Sequence, residues 1–177
     1  MRRAMAEAEV GDDVFIEDPT VNRLQERAAQ IFGREASLYV PSGSMGNLTC
    51  ILAQTHPGQE VICEESGHIY NYEMASMSGI GGVLPRIVRG QDGILGWETV
   101  SKAVRPKVYF RPQTALISLE NTHNMAGGTV YATKAAHETF GRFLGQEPEG
   151  ALIVDRHHGE REDLQPLPDS SAVRGAL

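Results

Sequence analysis

Apolar residues recur on one helical stripe between Asp18 and Gly33: Val21, Leu24, Ala28, Ile31 and Phe32. Asp18 stands in the N-cap position, Pro19 opens the first turn and Gly33 stops the run, so the pattern predicts a capped amphipathic helix. The short apolar run ASLYV, residues 36–40, predicts a strand ending at Pro41, and Leu48, Ile51 and Leu52 return to helical spacing. The stretch between them, PSGSMGN, therefore joins a strand to a helix. Downstream, EVICE follows a PGQ turn as a strand, IYNYEMASM predicts a helix, VLPRIV a strand, WETVSKAV a short helix, and ALISLE and ALIVD two further strands.

Strands alternating with helices at this spacing predict an α/β fold: a mostly parallel sheet with right-handed crossover helices. Ligands of such sheets gather at the carboxyl ends of the strands. The pattern weakens after Ala132. Residues 133–155 are expected to form a divergent end of the domain, and 156–177 combine charges, prolines and glycines without periodicity, which predicts a disordered tail.

A chain of 177 residues can bury one substantial core. Its net charge of −7, with arginines scattered rather than clustered, argues against a nucleic-acid surface. Cys50 and Cys63 sit inside apolar runs with no Cys-x-x-Cys or Cys/His spacing, so reduced core thiols are expected in place of a disulfide framework or a metal site. No stretch approaches a membrane span and no apolar segment follows the first two arginines, which together predict a cytoplasmic protein.

The chemistry begins at the turn. Ser42, Gly43, Ser44, Met45 and Gly46 place backbone N–H groups and small hydroxyls in front of a helix N-terminus, an arrangement suited to a phosphate. Neither GxxxxGK[ST] nor GxGxxG is present, so a nucleoside triphosphate and a dinucleotide are disfavoured.

Four segments in register, VGDDVFIEDPTVNRLQE, PSGSMGN, ESGHIYNYE and SLENTHNMAGGTV, resemble the low-specificity L-threonine aldolases. These are pyridoxal-phosphate lyases of the aspartate-aminotransferase-like fold. The resemblance covers roughly residues 1–130 and marks 1–132 as part of such a domain. It implies cleavage of L-threonine or L-allo-threonine to glycine and acetaldehyde by a homo-oligomer acting on a small amino acid. It also implies that Ser42, Gly43 and Ser44 hold the cofactor phosphate and that His68 stacks on the pyridine ring. His123 would lie near the substrate, where it accepts the β-hydroxyl proton or holds a water that does. Glu120 would brace the strand end, Asn121 and Asn124 would shape the turn after it, and Tyr70 and Tyr72 are expected in the core or on a helix face.

The chain also departs from the family pattern. The DGAR and SKG segments, which carry the pyridine-pairing aspartate and the imine-forming lysine, have no counterpart here. Lys102, Lys107 and Lys134 stand in no Ser-Lys-Gly turn, and Asp155 is followed by Arg156 and His157. The expectation is a truncated or altered product, inactive alone, whose exposed apolar faces lead it to associate. Two rival functions follow: a non-catalytic remnant that keeps the phosphate cradle, and a serine hydrolase with Ser44 as nucleophile and Asp155 with His157 or His158 as partners.

Overall fold

The computed structural model describes residues 1–146 and 151–156. They fall into two units, Met1–Pro41 and Ser42–Leu177. The first holds helix α1 (Arg2–Ala6), a 3-10 turn (Asp13–Phe15) and helix α2 (Pro19–Phe32). The ends of α2 are set locally. The Asp18 carboxylate accepts the N–H groups of Thr20 and Val21 at 2.9 Å and that of Gly11 at 3.1 Å. The bonds from Val21 and Gly11, the two largest causes, hold its pKa below the usual value. Gly33, at φ 59°, closes the other end in the left-handed conformation.

The strand predicted at ASLYV does not form. Gln25 of α2 takes its polar groups instead: its side-chain Oε1 accepts the Tyr39 N–H at 2.8 Å and its backbone carbonyl accepts the Ser37 hydroxyl at 2.6 Å. A strand needs a neighbouring strand for its backbone, and here a helix side chain and carbonyl serve in its place.

The second unit carries helix α3 (Gly43–Gln54), strand β1 (Glu60–Glu64), two short helices α4 (His68–Asn71) and α5 (Ser76–Gly79), and strand β2 (Leu84–Val88). Helix α6 (Trp97–Ala103), strand β3 (Thr114–Asn121), helix α7 (Thr133–Gln146) and strand β4 (Ala151–Arg156) complete it. The helix expected over IYNYEMASM is thus broken in two, because Met74 and Ala75 both adopt φ 54°. The expected divergent end, 133–155, contains a 14-residue helix and a strand. Of the expected tail, 157–177 lies outside the described residues.

The four strands form one parallel sheet in the order β2-β1-β3-β4. Both faces of β1 and β3 are covered, which is why these two read as continuous apolar runs, whereas the edge strand β2 is exposed to half-buried. Val61, Cys63 and Leu116 pack with Ile51, Ile69 and Met77 from α3, α4 and α5. On the opposite face Ile62, Ile117 and Leu119 meet Val100 and Ala103 of α6 and Phe140 and Phe143 of α7. Within β2, the Leu84 N–H donates to the Gln59 carbonyl on the β1 side, so by strand alternation the nitrogen of Pro85 faces away from the sheet. Among the described residues no helix is long and apolar enough to cross a membrane.

Burial, and to a lesser degree the adjacent Glu64 carboxylate, pushes the Cys63 thiol up to about 12. Iodoacetamide at pH 8 is therefore expected to leave Cys63 unmodified in the folded chain and to label it after denaturation. Labelling of Cys63 at the rate of a free thiol, read by peptide mass mapping, would contradict the packing of β1.

At the amino ends of the strands, fully buried Glu60 accepts from Arg105 Nε at 2.6 Å and from Thr114 Oγ1 at 3.2 Å, and lies 3.7 Å from Arg86 Nε. This buried cluster lies at the end of the sheet opposite the site described next.

Candidate active site

The polar groups at the carboxyl ends of β1 and β3 form one connected set. The first component is the amino end of α3. Ser42 caps it, its hydroxyl accepting the Met45 N–H at 3.2 Å. The N–H groups of Gly43 and Ser44 belong to the first turn, where a helix offers no carbonyl partner. A Cβ built at Gly43 meets nothing within 4 Å, so the space before the helix is open. Positive helix-end potential, free amide donors and small hydroxyls together suit a phosphate dianion.

One turn further on, Asn47 faces inward and is buried. Its Nδ2 donates to Glu73 Oε1 at 2.7 Å, and the same oxygen lies 2.9 Å from Nδ1 of His68. Ser44 and Asn47 are three apart and share a helix face. The predicted phosphate turn and the predicted ring-stacking histidine are thus joined through two side chains. His68 opens α4, and its backbone N–H donates to Glu120 Oε2 at 2.6 Å. Glu120, at the end of β3, also takes the Asn124 N–H at 2.8 Å, so it braces the loop as expected. Asn121 Oδ1 accepts the Tyr131 N–H at 3.0 Å and shapes the same loop.

His123 has a different setting from His68. Its side chain is fully buried, with Nε2 3.1 Å from Glu64 Oε2 and 4.0 Å from Glu120 Oε2. Its Nδ1 accepts the Ala126 N–H at 3.3 Å, which places the ring proton on Nε2, toward Glu64. Glu64 is held in turn by the N–H groups of Ser66 at 2.6 Å and Gly90 at 3.0 Å. Gly93, at φ 80°, lies against the His123 ring: a Cβ there would sit 2.5 Å from Cγ. Tyr131 fixes this loop, its hydroxyl accepting the Leu95 N–H and donating to the Gly93 carbonyl at 3.4 Å. Burial pushes the Tyr131 phenol up to about 12.

A polar hollow of about 280 Å³ borders His123, with Glu64, Ser66, Arg89 and Met125 in its wall. Neither His68 nor residues 42–44 line it, so it is not the space that joins the phosphate turn to the imidazole. Of the two settings expected for the tyrosines, core or helix face, the core is excluded: Tyr70 lies on α4 and Tyr72 caps its end. Tyr70 and Tyr72 are exposed, and Tyr72 reaches Met125 Sδ at 3.4 Å with its ring 5.5 Å from that of His68.

Lys102, Lys107 and Lys134 are all exposed, and Lys102 pairs with Glu98 on its own helix. The register of β4 sets Asp155 beside Glu120, at the same carboxyl end of the sheet. His157 and His158, the partners of the serine-hydrolase alternative, lie outside the described residues. Asn47, Glu64 and Glu73 were not singled out from the sequence. The signal available was a carboxylate or amide on the apolar side of an element.

Residues 1–141 match the family described as beta-eliminating lyases. Low-specificity L-threonine aldolase 1 of Arabidopsis thaliana is 48% identical over 132 residues, which is 72% of this chain and 37% of that protein. The low specificity L-threonine aldolase of Escherichia coli O157:H7 is 39% identical over 181 residues, 98% of this chain and 54% of that protein. The chain therefore spans between a third and a little over half of these relatives. Among solved structures, Leishmania major threonine aldolase superposes with a TM-score of 0.71 at 19% identity, covering 87% of this chain and 44% of that one.

Proposed function

The chain belongs to the beta-eliminating lyase family, and we propose on that premise that it carries the phosphate-and-ring half of a pyridoxal-phosphate site in a threonine-aldolase-like lyase. The reaction is retro-aldol cleavage of L-threonine or L-allo-threonine to glycine and acetaldehyde. The observation that carries this reading is the link from the open amino end of α3, through Asn47 and Glu73, to His68.

The residues present fit one part of the cofactor. Ser42, Gly43 and Ser44 would hold its phosphate and His68 would lie against one face of its ring. When bound, the group supplies an electron sink for cleavage of the Cα–Cβ bond. The chain's own residues orient and brace. Glu120 fixes the backbone of His68, Glu73 fixes its ring, and Glu64 holds the proton on Nε2 of His123. Both ring nitrogens of the buried His123 are engaged, so it takes no substrate proton itself and serves to orient the Glu64 carboxylate, which borders the polar hollow.

Covalent capture of the aldehyde needs a desolvated, positioned amine. The three lysines are exposed, so the chain by itself is proposed to retain the cofactor without fixing it and without turnover. Equilibrium dialysis with pyridoxal phosphate tests this, followed by borohydride reduction, peptide mapping and an acetaldehyde assay with threonine. Ser44→Glu, which sets a carboxylate against the phosphate, is expected to weaken retention at least about tenfold. Equal retention by the variant would sink the phosphate assignment. A stoichiometric reduced adduct on one lysine, with acetaldehyde released, would overturn the proposed lack of turnover.

The aldolase reading also carries a homo-oligomer. Its support here is a set of exposed apolar side chains beside the site, including Tyr70, Tyr72, Met74 and Met125. Size-exclusion chromatography with light scattering is expected to show a species larger than 19.3 kDa. A compact monomer with a cooperative melt would contradict it.

A further inference from the structure

We propose that Glu73 is the positioning residue for His68, setting both the plane of the imidazole and the nitrogen that carries its proton; the inference deepens the cofactor reading and rests on it. Glu73 is buried although it lies between two short helices. It is 4% exposed and is followed directly by Met74 and Ala75, both at φ 54°. Two consecutive non-glycine residues in the left-handed region are strained. The strained turn lies directly after the buried Glu73, a pattern associated with functional sites.

The carboxylate is used asymmetrically. Oε1 takes both the Asn47 amide and the His68 Nδ1, while Oε2 is buried with no hydrogen-bond partner among the described residues. Oε1 already accepts from the Asn47 amide, so it is an acceptor toward the imidazole as well and the shared proton of the Glu73–His68 contact stands on Nδ1. Asn47 carries the same restraint to α3, one turn from Ser44. A ring held by Glu73 therefore keeps a fixed orientation relative to the phosphate turn.

The test uses the whole chain, two probes and one spectroscopic signature. Inorganic phosphate reports the α3 end alone. Pyridoxine 5′-phosphate carries ring and phosphate together and has no aldehyde to react with surface lysines. Ring ¹⁵N shifts of His68 report which nitrogen is protonated. The expected result is an Nδ1–H tautomer in the parent chain, a mixture of tautomers in Glu73→Gln, and about tenfold weaker binding of pyridoxine 5′-phosphate with phosphate affinity unchanged.

An Nε2–H tautomer in the parent chain overturns the proposal without any variant, so a Glu73→Gln protein that fails to fold does not shield it. An unchanged tautomer and an unchanged ratio of the two affinities in Glu73→Gln overturn Glu73's role alone. Failure of the parent chain to bind either probe overturns the cofactor reading, and the positioning role with it.

Discussion

Gly93→Ala is expected to destabilise the fold by about 3–5 kcal/mol, measured as a shift in the urea unfolding midpoint at constant slope. Two effects add. At φ 80° an alanine carries left-handed strain of about 1–2 kcal/mol. Its Cβ would also lie 2.5 Å from His123 Cγ, 2.7 Å from Cδ2 and 2.9 Å from the Ala126 Cβ. The imidazole cannot retreat, because its Nε2 and Nδ1 are already engaged by Glu64 and the Ala126 N–H in a fully buried position. Displacement leaves a buried carboxylate short of a partner, which is the costly case. Gly141→Ala serves as the control: it lies within α7, its added Cβ meets nothing within 4 Å, and it is expected to stabilise by about 0.5–1 kcal/mol. Equal responses at the two glycines would show that the loop over His123 yields freely.

Phe143→Ala is expected to cost about 3–5 kcal/mol, the range for emptying a large aromatic site in a packed interior. Phe143 is fully buried among Ile62, Val100, Ile117 and Phe140, and it is how α7 closes one face of the sheet. Arg142, its neighbour in sequence, is exposed and pairs with Glu138 at 2.9 Å, so Arg142→Ala is expected to change stability by less than about 0.5 kcal/mol. Denaturant unfolding of the two variants decides the matter. If both lose the same small amount, α7 is not docked on β1 and β3.

These two residues also show where sequence reasoning reached and where it stopped. The ends of α2 were legible because Asp18, Pro19 and Gly33 act on their immediate neighbours. Strands β1 and β3 were legible because burial on both faces leaves a continuous apolar run. Helix α7 was not. Gly141 and Gly145 interrupt its pattern, and only the finished sheet shows that Phe140 and Phe143 face a common core.

The strand expected at 36–40 failed for the converse reason: its apolar composition was right, but a strand is completed by a neighbour, and Gln25 took its polar groups. In the candidate site, the phosphate turn and His68 stood out as local motifs. Asn47 and Glu73, 26 residues apart, are polar residues in otherwise apolar stretches. Only the fold turns them into partners.

Pro85 gives the border of the sheet a chemical character of its own. Where an intruding polypeptide would look for its next amide hydrogen along β2, it finds a ring carbon. Fibril-like stacking across that margin is thereby discouraged, while lateral contact through side chains is left unhindered.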